Sequence, residues 1–551
     1  MREYKSVNIK KVIKTILLIV IGASFVVLIF FFIQEKGKAM IDIENEKAVY
    51  LREIEDNLKN YNIFFLAVTK FTNPKNNYTY SELKKQNLIT PYINKEFLPN
   101  KLINLVSIVD YSEIETELEK GNIALLTPSQ VKPNYKTISI DNQYFWSEGF
   151  QASKYPLQNT IKRYQEINED YITDREQIMT FFAAGEIIPA RAVDRLGLNK
   201  YEDYTYLFDF FRKDIESADI SIALLENSLL GDPTPCTGCM MFTGDEKVAE
   251  GLGEVGFDFI STAGNHAGDA GQKAMQNTIE LLEKNTIEVT GTGFISTKVS
   301  PSNNLNIATK TLNGKTYAMI GAEDVASYYW IPTWPWNFKE NPETGLPEPI
   351  DKNERYGTYT FSKISESMLS VNKTNVEAIK RLKSQEADYG YNADYSIIYM
   401  SWGVEYTNKP TKHQIELAHA LVDNGADLII GSHPHWVQSI EFYKNTPIIY
   451  SLGNFIFDQT HELETRQGIA VNLHYYNEKL KNIELIPHQI CGYHQTSTDI
   501  TQALLDEKID LEEVYTADES KGCVYWQPKK LKEDHPSYQQ ILKRVYEFTN
   551  V

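Results

Sequence analysis

The sequence predicts an α/β protein, and three observations predict it. From Ile178 onward, apolar runs of strand length alternate with stretches of helical period. Five of those runs end in polar residues, and ligands of open α/β sheets collect outside strand carboxyl ends. The chain is 551 residues long, with 42% hydrophobic and 23% charged residues, which allows two or three domains with sizeable cores.

The alternation can be followed in order. Met179 to Ala184 reads as a buried strand ending at Gly185-Glu186, and Ser221 to Leu225 as one ending at Glu226-Asn227. Asp258 to Ala263 leads to Asn265-His266. Met275, Ile279 and Leu282 then give one apolar helix face. Tyr395 to Met400 ends at Ser401-Trp402-Gly403. A helix is expected from His413 to Asn424, burying Ile415, Leu417, Leu421 and Val422 and closed by Gly425. The strand Asp427 to Ile430 runs into Gly431-Ser432-His433-Pro434-His435, and Pro447 to Phe457 returns through the core past Asn454.

The N-terminus has its own pattern. Thr15 to Ile33 carries no charge and is long enough to cross a hydrocarbon core as a helix. Arg2, Lys5, Lys10, Lys11 and Lys14 precede it and Glu35 follows, which places the N-terminus in the cytoplasm and everything after Gln34 outside. The run is long for a cleaved signal peptide and no small-x-small site follows, so an uncleaved single-pass anchor is expected. The expected organisation is tail and anchor 1–34, stalk 35–62, small α/β accessory domain 63–176, main domain 177–495 and C-terminal extension 496–551.

A net charge of −19, more acidic still without the basic start, argues against nucleic-acid binding. Any anionic ligand has to be held locally by a metal or a pocket. Cys236, Cys239, Cys491 and Cys523 all fall in the exported part, where disulfides persist. Cys236-Thr-Gly-Cys239 has no second CxxC beside it and reads as a loop-stapling disulfide, with Cys491 and Cys523 a possible second pair. The tryptophans and prolines of Trp330 to Trp336 read as an insertion packed on the domain, or as a surface for sugar rings. Asp388 to Asp394 lacks the central glycine of a calcium loop.

The candidate site lies at the strand ends. His433 and His435, two apart after a buried strand, can aim two imidazoles at one metal ion. Alone the pair is a weak signal. Asn265-His266, also just past an apolar run, supplies a second pair suited to a divalent metal.

The blocks SWGVEY, GADLIIGSHPHWVQSIEFY and PIIYSLGNFIFDQ, with LLENS and AGNHAGDAG, resemble the CapA capsule-synthesis family over about residues 178 to 490. The resemblance implies a calcineurin-like fold, a four-layer αββα sandwich of the metallo-dependent phosphatase type. It implies a membrane-anchored role in the synthesis, anchoring or export of an anionic polymer such as poly-γ-glutamate, with membrane polymer-synthase subunits and the anionic or wall polymer as partners. A metal-dependent phosphoesterase and an inactive polymer- or synthase-binding scaffold are the other readings it leaves open. The implied ligands of a divalent metal (Mn, Mg or Zn) are Glu186, Glu226, Asn265, His433 and His435, with His266 as general acid or transition-state stabiliser and Arg191 as a clamp on the anion. Glu405 and Tyr406 match the family's Glu-Tyr. Read one by one without the family, Asn265 and Glu226 are expected to cap following helices, and a surface salt bridge is as expected of Arg191 as the clamp.

Two positions depart from the family pattern. Gly185-Glu186 stands where Gly-Asp is usual, and Ser401 where an imidazole is usual. A Glu can still reach a metal, but Ser is a poor ligand for zinc or iron. The change lowers affinity, moves preference toward Mn²⁺ or Mg²⁺, leaves a single-metal site, or removes the chemistry. The predicted topology is tested with protease on intact cells. The chain beyond Gln34 is expected to be digested, leaving a short protected fragment; full protection would reverse the orientation.

Overall fold

Why the apolar runs are uninterrupted becomes clear from what covers them: each central strand is buried on both faces. The structure is a computed structural model and describes residues 58–163, 167–196, 203–230, 242–296, 307–325, 338–340, 347–349, 354–358, 392–459, 462–491 and 526–549. The run Thr15 to Ile33, the Cys236/Cys239 pair, Cys523 and the Trp330 to Trp336 segment lie outside the described residues. No helix among the described residues is long and apolar enough to cross a membrane.

The chain forms two units. The smaller runs to Ile63 and takes in Asn159–Ile172; strands Lys59–Phe64 and Gln158–Arg163 pair as a two-stranded sheet. The larger takes in Phe64–Gln158 and Thr173–Val551, so residues 64–158 of the segment expected as an accessory domain fall in the same unit as the main body, and 159–172 in the smaller one. That segment builds a six-stranded mixed sheet in the order Asn77–Tyr78, Tyr135–Ile140, Leu66–Lys70, Ile123–Leu126, Leu88–Pro91, Val106–Val109. It meets the body at the hairpin after Tyr476. Asn482 accepts from Thr137 N at 3.1 Å and donates to the Tyr144 hydroxyl at 2.7 Å, and Trp146 stacks on His474.

Two further sheets make the body. The first has the order Glu288–Thr290, Phe259–Ser261, Ile220–Leu225, Ile178–Ile187, Gln467–Tyr476, Lys479–Ile490, Pro528–Lys530. Its first four strands are parallel, and Asn454–Ile456 also lies parallel on Ile178–Ile187. The second has the order Ala308–Leu312, Lys315–Glu323, Tyr395–Ser401, Leu428–Ser432, Thr446–Ile449, Ile440–Tyr443, with parallel pairing through its centre. Phe181, Ala183, Ile222 and Leu224 of the first sheet share one buried cluster with Met319, Ile397, Tyr399 and Ile430 of the second. The opposite face of the first sheet packs Phe182, Ala184 and Leu225 on Val248, Leu252 and Leu282 of its helices. The opposite face of the second packs Ile320, Ile398 and Ile429 on Leu417 and Leu421.

The helix bearing those leucines runs Lys412–Asp423, close to the expected span. Thr411 caps it: the Thr411 hydroxyl accepts from Gln414 N at 3.1 Å, and Gln414 Oε1 accepts from Thr411 N at 2.9 Å. Gly425, at φ +108°, ends it; Gly425 N donates to Val422 O and Ala426 N to Leu421 O, a Schellman motif.

One irregularity positions the site. Between Ile222 and Leu224 the pairing with Ile178–Ile187 slips, so that Ala183 faces Ile222 but Glu186 faces Leu224. The extra residue is a bulge, and it reverses the in–out alternation. Ala183 points to the seam between sheets, and after the bulge Glu186 points there too, while Ile187 joins the opposite cluster. Gly185 is the residue that allows this. A Cβ on it would collide with the Gly453 carbonyl where the chain re-enters the first sheet.

Two measurements test this account. Gly185→Ala is expected to lower the urea midpoint by the equivalent of about 1–3 kcal/mol; an unchanged midpoint would mean the two backbones are not pressed together there. The second concerns His488, fully buried with Nε2 3.1 Å from the Asn454 carbonyl oxygen. Burial holds its imidazole down at about 4, below the ordinary 6.5, so the unfolded chain takes up the proton first. The stability it contributes is complete above about pH 6.5 and is lost as pH falls toward 4. Across that window stability should fall more steeply in the wild type than in His488→Gln; parallel curves would rule the effect out.

Candidate functional site

The strand ends bring the expected residues together at the seam. Glu186 and Glu226 are both fully buried. The Glu186 carboxylate accepts from the backbone N–H of His433. His435 Nδ1 lies 2.6 Å from Glu186 and 2.8 Å from Asn454 Oδ1. A single Nδ1–H serves one acceptor at a time; its geometry suits Asn454, and the Glu186 contact is ionic. Asn265 Oδ1 lies 3.2 Å from His433 Nδ1. Gly264 lies directly against Glu226, with no room for a Cβ, which sets the Asn265 loop on the second strand end.

The capping alternatives are resolved by this geometry. The helix after Asn265 runs Gly271–Lys284 with Ala270 at its N-cap, and Glu226 is followed by the short strand Ser228–Leu229. Neither residue caps a helix.

The electrostatics are those of a crowded, dry site. Burial pushes the Glu226 carboxyl well up, and the negative charge of Glu186 pushes it further. Both Glu226 oxygens are buried without a hydrogen-bond partner. For Glu186 burial acts the same way, but the positive charge of His435 and the His433 N–H outweigh burial and hold the carboxyl down. His435 is raised correspondingly: burial opposes its charge, and Glu186, then Glu226, overcome it. His433 is depressed to about 3, first by burial and then by the His435 charge. Negative charge gathers on Glu186, positive charge on His435, and His433 stays neutral with a ring nitrogen able to ligate.

The loops that carry these groups are strained. His433, His435 and Tyr406 have φ of +93°, +57° and +58°, unusual for residues with side chains. Tyr406 N donates to the Pro434 carbonyl at 2.9 Å and the Tyr406 ring stacks on His435, so the two loops brace each other. Glu405 comes within 3.8 Å of His435 Nε2.

The catalytic candidates are placed beside this cluster. His266 Nδ1 lies 2.7 Å from Asp269, and its ring packs 4.2 Å from that of Phe242. Asp269 thereby orients the imidazole and leaves Nε2 for other work. Arg191, expected as an anion clamp or a surface salt bridge, is paired with buried Asp458 and stands over Phe242 and Phe457. Its guanidinium is thus anchored at the edge of the site, with Nε and Nη2 both donating to Asp458 Oδ1. Ser401 is fully buried and its hydroxyl has no hydrogen-bond partner.

Sequence reasoning did not single out Asp269, Asp458 or Glu323, and it named Asn454 only as part of the returning strand. Asp269 was legible, three residues after His266. Asn454 and Asp458 take their meaning from contacts with residues 19 and 267 positions away, which spacing does not reveal.

A divalent metal can be tested against this donor set. Two buried carboxyl groups, an Asn oxygen and two imidazoles make an oxygen- and nitrogen-rich donor set, and the Glu226 oxygens lack a hydrogen-bond partner, which fits such an ion. Among the described residues no three His, Cys, Asp or Glu side chains already converge closely enough to hold one. Binding therefore requires the ligands to move inward.

The architecture and strand-end site define a mixed α/β protein with its polar chemistry gathered where two sheets meet. Residues 180–459, half of the chain, match the family described as "Bacterial capsule synthesis protein PGA_cap", and the chain belongs to that family. It is similar to "Capsule biosynthesis protein CapA" of Bacillus anthracis, 26% identical over 374 residues, which are 67% of this chain and 80% of the relative. It is also similar to "PGA biosynthesis protein CapA" of Bacillus subtilis, 29% identical over 265 residues, which are 48% of this chain and 58% of the relative. A shorter likeness, 32% over 65 residues (12% of this chain and 17% of the relative), is to a "Probable polyglutamine synthesis accessory protein" of Mycobacterium tuberculosis.

Proposed function

We propose that this protein is a membrane-anchored, extracytoplasmic component of the synthesis, anchoring or export of an anionic capsular polymer such as poly-γ-glutamate. It works beside membrane polymer-synthase subunits, on a four-layer αββα scaffold of the metallo-dependent phosphatase type. Its seam site takes one divalent metal: Mn²⁺, Mg²⁺ or Zn²⁺. The observation that carries the metal reading is Glu226, a fully buried carboxyl with no hydrogen-bond partner inside the family-matched span. The names of the relatives support the polymer.

Glu186, Glu226, Asn265, His433 and His435 would hold the ion. A bound divalent ion supplies Lewis-acid polarisation of a ligand oxygen and lowers the pKa of a water beside it. The protein's own groups do the rest. The bulge at Gly185 aims Glu186 into the seam, Asn454 fixes the His435 ring, and buried surroundings exclude bulk water.

A second reading, metal-dependent phosphoester hydrolysis, is favoured by one observation. With Nδ1 committed to Asp269, His266 is set to hold or release a proton at Nε2, as a general acid requires. Arg191, steadied by Asp458, would face the anion at the rim.

The test uses the purified full-length chain, exchanged into Mn²⁺ or Zn²⁺ and desalted. About one equivalent of metal is expected, lost in His433→Ala and Glu226→Gln. Glu226→Gln should leave the metal-free melting temperature unchanged or higher, because it removes an unpartnered buried carboxyl. Turnover of a generic phosphodiester, abolished by His266→Ala, would select the hydrolytic reading. Absence of metal in the wild type, with surface polymer still dependent on the gene, would select the scaffold.

A further inference from the structure

We infer that Glu323 is a carboxylate of the seam site and takes over the ligand place that an imidazole at Ser401 would fill, making the site selective for hard divalent ions. The inference rests on the metal reading above and deepens it.

The argument begins with register. Glu323, Ser401 and Ser432 are direct partners across three adjacent parallel strands, each the last residue of its strand. Side chains alternate along a strand, so residues two and four apart share a face. Met319 and Tyr317 belong to the buried cluster between the sheets, as do Ile397 and Tyr399, and Leu428 and Ile430. The pairing across these strands runs without a slip. Glu323, Ser401 and Ser432 therefore form a row on the seam face, at the level where His433 begins its loop.

What stands opposite that row is also fixed. Gly321, two residues before Glu323, meets Ser261: a Cβ there would collide with the Ser261 hydroxyl. Gly321 N donates to Thr290 Oγ1 at 2.9 Å. Both strands then run on in the same sense, toward Glu323 on one side and toward the Asn265 loop on the other. Glu323 thus ends beside Ser401, on the strand whose Gly321 meets Ser261 of the first sheet. It is 1% exposed, and one carboxylate oxygen accepts from Val325 N at 2.9 Å.

An acidic residue in a row is not by itself a site. The independent observation is Ser401, whose hydroxyl lies on the same face, fully buried and without a partner. A buried polar group is normally satisfied. Its lack of a partner marks a place in the row where a ligand oxygen or ion belongs, flanked by a carboxylate. Replacing an imidazole nitrogen by carboxylate and hydroxyl oxygens hardens the donor set, which favours Mn²⁺ or Mg²⁺ over Zn²⁺.

The experiment compares the wild-type full-length chain with Glu323→Gln, Ser401→His and the double variant. Free Mn²⁺ is followed by electron paramagnetic resonance, and bound Zn²⁺ by competition with a chromogenic chelator. Gln keeps an oxygen for Val325 N, so the fold is expected to persist, checked by unchanged circular dichroism and melting of the metal-free protein. Glu323→Gln should weaken Mn²⁺ by about tenfold or more, the scale on which ligand-shell changes act. Ser401→His should raise Zn²⁺ affinity and, in the double variant, restore binding with the preference turned to Zn²⁺. If Glu323→Gln binds Mn²⁺ as tightly as the wild type while Glu226→Gln does not bind it, Glu323 is outside the site and this inference falls while the metal reading stands. If neither the wild type nor Ser401→His binds any of the ions, the metal reading itself falls.

Discussion

Two carboxyl groups buried side by side at the seam between the sheets are the constraint around which the rest is arranged. Charge in so dry a place has to be matched or neutralised. Glu186 is matched by His435 and by a main-chain N–H; Glu226 is neutralised by its surroundings. The surrounding devices follow from that need. The bulge turns Glu186 inward, Gly264 admits Glu226, and the strained loop of His433 and His435 brings one N–H and two imidazoles to face them. A protein selected for stability alone would fill this place with leucine and valine, as the same sheets do a few residues earlier.

Much of the fold was legible because its signals are local. Runs such as Asp427 to Ile430 could only be strands covered on both faces, and Gly425 could only be the end of the helix before it. The capping pair Thr411 and Gln414 went unread, although its three-residue spacing is as local a signal. The site was half legible. His433, His435, Asn265 and His266 announced themselves by position after apolar runs. The inward turn of Glu186 did not, since it depends on a slipped register with a neighbouring strand some forty residues away in sequence. Nor could the tie between Arg191 and Asp458, which closes a loop of the chain across the whole body. Glu323 was passed over for a similar reason: only the strand pairing puts it beside Ser401.

The grouping of residues 64–158 with the body has the same kind of cause. Composition and period mark that segment off as an independent layer. Its attachment runs through the polar turn near Asn482, whose amide bridges to Tyr144 and to the backbone of Thr137. A polar hairpin turn is an ordinary surface feature in sequence, and only its neighbours make it a joint.

The crossing at Gly453 has a consequence for access. Within a few residues the chain leaves Thr446–Ile449 in the second sheet and enters the first as Asn454–Ile456, bending at a φ of +71°. The sheets are stitched at their carboxyl rim, directly beside the acidic pair. Prising them apart like the covers of a book is therefore not an available motion. On the proposed metal reading, an ion would reach the acidic pair past the loops of Asn265, Tyr406 and His435, so the contacts that brace those loops would set its rate of entry.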